Sequence, residues 1–194
     1  MGGEDWTQGM EKRLVDTDRY RSGSVDDAQA RFGEPLAAFK GGVLKGVWSL
    51  WDAIENDWYR DWATVLETDR GCISVDASGG IRLGIWFDDV DFDTPVSFFE
   101  EGCDLYELFD LSWKRHEELS FLEGRVLDSF WLRCDRGNHP FALDVDLDGT
   151  ILCIGGLWDE TFPEVMDPGE SGTYATGDTT SRAACTRRVA GPCP

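Results

Sequence analysis

Phe141, Leu143, Val145 and Leu147 alternate with Ala142, Asp144, Asp146 and Asp148, and the run ends at Asp148-Gly149. Period two is the signature of a strand with one buried face. Asp-Gly is a favoured type I′ turn pair, because both positions accept positive φ. Closing the chain there sets Val145 opposite Leu152 and Leu143 opposite Ile154. The hairpin then has one apolar face, which needs a second layer, and one acidic face.

Similar signals recur upstream. Val43 to Trp51 is rich in strand formers, Trp62 to Thr68 resumes them, and Asp69-Arg70-Gly71 turns the chain into Cys72 to Ala77. A three-residue loop at Ser78-Gly79-Gly80 would pair Ala77 with Ile81, Val75 with Leu83 and Ile73 with Ile85, all apolar. Val126 to Arg133 reads as the strand before the second hairpin, with a turn at Asp135-Arg136-Gly137-Asn138. Helices are fewer. Ser24 is an N-cap candidate with Asp26 and Asp27 in the first turn. Gly33 and Pro35 are placed to stop that helix, and Leu36 to Phe39 to add one turn before Gly41-Gly42. Leu105, Leu108 and Phe109, with Trp113 and Leu119, predict one or two short helices between Pro95 and Phe121. The order predicts an α+β domain: a mostly antiparallel β-meander sheet with a few short helices packed on it and a disordered C-terminal tail.

The 41% hydrophobic content and nine tryptophans are enough for a core within 194 residues. Residues 1–23 read as a flexible leader and 24–166 as a single acidic domain. Residues 167–194 read as a disordered tail, poor in large apolar residues. Met1 to Asp18 is polar and no apolar run reaches the ~20 residues that span a membrane, so the reading is a soluble, cytoplasmic chain. The six cysteines are then expected as reduced thiols.

Charge restricts the partner. The chain has 38 Asp+Glu against 18 Lys+Arg, a net charge of -20. Such a surface repels nucleic acid and anionic lipid and attracts basic proteins. Within it, Asp52, Glu55, Asp57 and Asp61 interleave with Trp58 and Trp62. Carboxylates and indole faces together suit Arg and Lys side chains. Asp88, Asp89, Asp91 and Asp93 form the densest acidic run and join them as candidate partner-binding residues. The same Asp88–Asp93 cluster, with Glu100, could instead hold Mg²⁺ for hydrolysis.

Asp144, Asp146, Asp148 and Gly149 match the first half of a calcium loop, but the twelfth position is Gly155 rather than Glu, and the register makes them a solvated strand face. His116 and His139 read as ordinary surface and turn residues. No P-loop, dinucleotide fingerprint, Gly-x-Ser-x-Gly elbow or His-Glu-x-x-His motif occurs. No cofactor or catalytic residue is therefore expected.

The Trp48-to-Trp62 stretch and Asn138-His139-Pro140-Phe141-Ala142-Leu143-Asp144-Val145-Asp146 follow an N-terminal helix in a layout that resembles bacterial toxin-immunity domains of the SMI1/KNR4 type. The resemblance covers about half the chain and transfers no residue roles. It implies a non-catalytic inhibitor that covers a basic partner enzyme.

Overall fold

The computed structural model describes residues 21–77, 83–87, 90–93, 96–99, 108–135, 137–157, 160–166 and 185–188. Its strands are β1 (Arg21–Ser22), β2 (Leu44–Asp52), β3 (Asp57–Tyr59), β4 (Thr64–Thr68), β5 (Gly71–Asp76), β6 (Leu83–Trp86), β7 (Val96–Phe99), β8 (Leu108–Arg115), β9 (Leu127–Cys134), β10 (Pro140–Leu147), β11 (Thr150–Leu157), β12 (Glu160–Met166) and β13 (Cys185–Arg188). Among the described residues one α-helix, α1, spans Val25–Phe39, and a 3₁₀ helix spans Glu117–Leu122. The fold is α+β, with all strand pairs antiparallel.

Two sheets replace the single one expected. The first runs β1-β6-β5-β4-β2-β8-β7, with β3 also on β2; the second runs β12-β11-β10-β9-β13. One apolar cluster joins them. It takes Phe32 and Leu36 from α1, Val47, Leu66, Ile73 and Ile85 from the first sheet, and Phe130, Leu143, Val145 and Ile154 from the second. The sheets also meet directly at their margin. Ala77 N–H donates to Thr161 Oγ1 (2.9 Å) and Thr161 N–H to the Arg60 carbonyl (2.7 Å). A Cβ on Gly156 would lie 2.6 Å from the Ala77 carbonyl oxygen, so this approach requires glycine.

The helix begins as the sequence predicts, with Ser24 Oγ accepting from Asp27 N–H at 3.2 Å. It does not stop at Gly33 but continues through Pro35. Val25, Ala28, Phe32, Leu36 and Phe39 are all buried at three- and four-residue steps, and ending early would leave the last two outside the core. Proline costs one bond, to the carbonyl of solvent-exposed Arg31. At the far end Arg70 Nη1 donates to the Ala38 (2.9 Å) and Lys40 (2.7 Å) carbonyls, which otherwise lack intrahelical partners.

The second hairpin has the expected register, Val145↔Leu152 and Leu143↔Ile154, with φ of 51° at Asp148 and 83° at Gly149. The first does not. Val75 faces Ile85 rather than Leu83. A slip of two residues preserves which side chains face the core, so apolar matching cannot detect it. The proposed Ser78-Gly79-Gly80 loop itself lies outside the described residues.

Where helices are expected between Pro95 and Phe121, the described residues form the strands β7 and β8 and the 3₁₀ turn, while Leu105 lies outside the described residues. Leu111 and Trp113 alternate with Ser112 and Lys114 on β8, and β8 pairs with β2 along Leu111–Arg115. Sheet pairing overrides the helical spacing; among the described residues of this segment only the 3₁₀ turn is helical. At the ends, Arg21–Ser22 of the presumed leader pairs with β6, and Cys185–Arg188 of the presumed tail pairs with the edge of β9. An edge strand offers unpaired N–H and C=O groups to any extended segment within reach. Residues 1–20, 167–184 and 189–194 lie outside the described residues.

Candidate functional site

The acidic-aromatic segment folds into the β2–β3 hairpin. Asp52 shapes its turn: the residue is 5% exposed and Oδ1 accepts from Ile54 N–H (2.8 Å) and Glu55 N–H (3.4 Å). Asn56 closes the turn at φ 55°, in the left-handed region that Asn tolerates. Ile54, Glu55 and Asp57 are thereby left on the outside, with Ile54 54% exposed. Among the described residues only Ile54 and Phe121 are large apolar side chains this exposed.

Behind the tip, Trp58 pairs with Trp51 across the two strands, ring centroids 5.3 Å apart at 90°. Trp58 also stacks on His116, 3.9 Å between centroids and 16° between planes. Lys114, from β8, places its ammonium 3.4 Å from the Trp51 ring centroid and 5.8 Å from that of Trp58. Register explains the grouping. Trp51 and Ser49 share one face of β2, and the neighbours Ser112 and Lys114 on β8 share that face.

His116 is not a surface residue but is 5% exposed. Its Nδ1 lies 2.8 Å from Glu118 Oε1 and its Nε2 3.0 Å from Ser49 Oγ, which is in turn 3.0 Å from Thr64 Oγ1. An ionised carboxylate only accepts, so Nδ1 carries the proton and Nε2 of the neutral ring accepts from Ser49. Burial pushes the His116 pKa below its usual 6.5, against an upward pull from Glu118. Burial alone would raise the pKa of Glu118. The hydrogen bond from His116, that from its own backbone N–H and the nearby Lys114 ammonium outweigh this and hold it below the usual carboxylate range.

The order Ser49, His116, Glu118 is that of a nucleophile, base and acid. A substrate carbonyl needs an open approach to the hydroxyl. Ser49 sits in mid-strand, 6% exposed, with its oxygen bonded on both sides, and Trp58 covers a face of the ring. The relay therefore orients the imidazole on which Trp58 rests, and so fastens the hairpin to the sheet.

The remaining candidates separate. Asp61 is exposed beyond the hairpin, whereas Trp62 is 8% exposed and packs with Leu50, Ala63 and Leu111 on the opposite face of the first sheet. Asp91 and Asp93 are exposed, and Asp91 Oδ1 accepts from Asp93 N–H at 3.1 Å. Phe92 between them stacks on Trp48 (4.4 Å) and meets Trp113 edge-on (5.8 Å), which ties the segment to the Trp62 face rather than the Trp58 face. Asp88, Asp89 and Glu100 lie outside the described residues. No group of three or more His, Cys, Asp or Glu converges among the described residues.

Asp144 is not on a solvated face. It is 3% exposed, and Arg133 Nε donates to its two oxygens at 2.8 and 2.6 Å. Burial pushes its pKa up, while Arg133 and the Cys153 thiol draw it back. Asp146 accepts from Gly149 N–H (2.8 Å) and Asp148 from Val126 N–H (3.0 Å), so each carboxylate of the calcium-like run has its own backbone or side-chain task. His139 is a turn residue as expected, exposed and 3.2 Å from Asp135 through Nδ1. Cys72, Cys134 and Cys153 are buried and form no disulfide.

Comparison of the chain with family models, with curated proteins and with solved structures returns no match.

Proposed function

We propose that this protein is a non-catalytic acidic binding module, an immunity- or antitoxin-type inhibitor that docks on a basic partner enzyme through the β2–β3 hairpin. The observation that carries the reading is the tip of that hairpin. An exposed Ile54 shares the turn with the exposed carboxylates Glu55 and Asp57, which follow it in the chain; the turn is fixed by Asp52 and its base by Trp58 on His116. An apolar side chain beside charged ones combines the two kinds of contact that a specific protein interface presents at its centre and rim. Holding it rigid before contact reduces the ordering cost of association. The net charge of -20 supplies steering toward a cationic surface.

The reading is tested by capture from the source organism's lysate at roughly 0.15 M salt, where long-range attraction is screened. Immobilised wild type is compared with an Ile54→Asp/Glu55→Lys/Asp57→Lys variant. A basic protein retained by the wild type and lost by the variant is the expected result. Equal retention by both, or only basic proteins that salt removes, overturns it.

A further inference from the structure

The two indoles that face each other across β2 and β3 already hold a cation. Trp51 and Trp58 stand at 90°, a two-walled corner, and the Lys114 ammonium lies 3.4 Å from one ring centroid. Trp58 is held in place by His116 and Trp51 by its strand, so the corner is preformed. Lys114 itself is solvent-exposed. Its ammonium can leave the ring for water at little cost, since exposed cation–π contacts are weak. Glu118, whose carboxylate feels the Lys114 charge, adds a negative group beside the corner.

We propose that the Trp51–Trp58 corner is a receptor for a cationic side chain of the partner, lysine, arginine or a methylated lysine, and that Lys114 occupies it until that cation displaces it. This rests on the hairpin being the docking element and adds its central contact. Lys114 then sets a threshold. Isolated cations compete poorly with a tethered one, whereas a partner already steered onto Glu55 and Asp57 delivers its cation at high effective concentration.

The test uses a free probe, so it succeeds or fails apart from the partner. Trimethyl-lysine amide is titrated into the full chain at ~0.15 M salt, with the indole N–H signals of Trp51 and Trp58 followed by NMR. Removing the resident cation with Lys114→Gln is expected to tighten binding about two- to fivefold, the worth of one exposed cation–π contact. Lys45→Gln, which removes an exposed charge elsewhere, is expected to give no comparable gain. Trp51→Leu in the Lys114→Gln background is expected to abolish the shifts of Trp58. The neutral isostere, with a tert-butyl group in place of the trimethylammonium, is expected not to bind. Equal gains from Lys114→Gln and Lys45→Gln would reduce the effect to bulk charge and overturn the proposal. Binding of the neutral isostere as tightly as the cation would overturn it too, as would an unchanged affinity in Lys114→Gln. Probe binding without partner capture would instead leave the corner intact and remove the docking reading.

Discussion

Two cations in this protein have comparable close partners and opposite circumstances. Arg133 meets Asp144 inside the second sheet, both side chains at most 5% exposed. Lys114 meets Trp51 on a face of the first, in water. The inner pair is shut away from water, and separating it leaves a charge in a poor dielectric. The outer one has solvent as an alternative at every moment. Proximity alone therefore does not distinguish a structural bond from an exchangeable one; desolvation does. The first belongs to the fold, and the second is available for use.

The contrast can be broken most directly at the inner pair. Asp144→Ala is expected to cost about 3–5 kcal/mol in urea unfolding, since it removes the carboxylate that compensates the buried Arg133 charge. Replacing both partners, Arg133→Met with Asp144→Leu, is expected to recover most of the loss. A single-variant cost below about 1 kcal/mol would show that Arg133 finds relief elsewhere and that the two cations differ little. Between the extremes stands Trp58, half-buried. Trp58→Ala is expected to cost about 2 kcal/mol, less than a fully buried Trp. The same variant should raise the NMR-measured His116 pKa toward 6.5 as the ring is rehydrated.

The His116 titration sharpens the comparison further. Its folded pKa lies below its unfolded value near 6.5, so the unfolded chain binds the proton first. Its contribution is intact above about pH 6.5 and declines as pH falls through the lowered folded value. The difference in stability between wild type and His116→Gln should shrink as pH falls over that window, and a constant difference would refute the burial argument. The smallest effect belongs to Lys114. Lys114→Gln is expected to change stability by no more than about 1 kcal/mol. A larger loss would place it with Arg133 as part of the fold.

Legibility followed the range of the determining contact. The Asp148-Gly149 turn fixes its register locally, and the structure has that register. The β5–β6 register depends on a slip of two that leaves every apolar residue facing inward, so parity in the sequence is blind to it. Pro35 looked like a helix end because the reward for continuing, burial of Leu36 and Phe39, lies in strands far along the chain. The hairpin acids were visible as composition, but their division of labour was not. Asp52 and Asp57 look alike in sequence, yet one shapes the turn and the other faces solvent. His116 was missed for the same reason, since Ser49 and Thr64 come from other strands. The one local clue was the alternation of Leu111 and Trp113 with Ser112 and Lys114. It marks β8 as a strand and would have set Lys114 beside the tryptophans once β8 was paired with β2.

The pairing of Cys185–Arg188 with β9 has a consequence for how the chain is made. Cys134 and Cys185 are register partners about fifty residues apart. On the ribosome, β9 and β10 can pair well before the strand that completes the other edge of β9 has been synthesised. For that interval the nascent sheet carries an open row of backbone donors and acceptors, the kind of edge on which aggregation and domain exchange begin. Elongation speed through that interval sets how long the edge stays open.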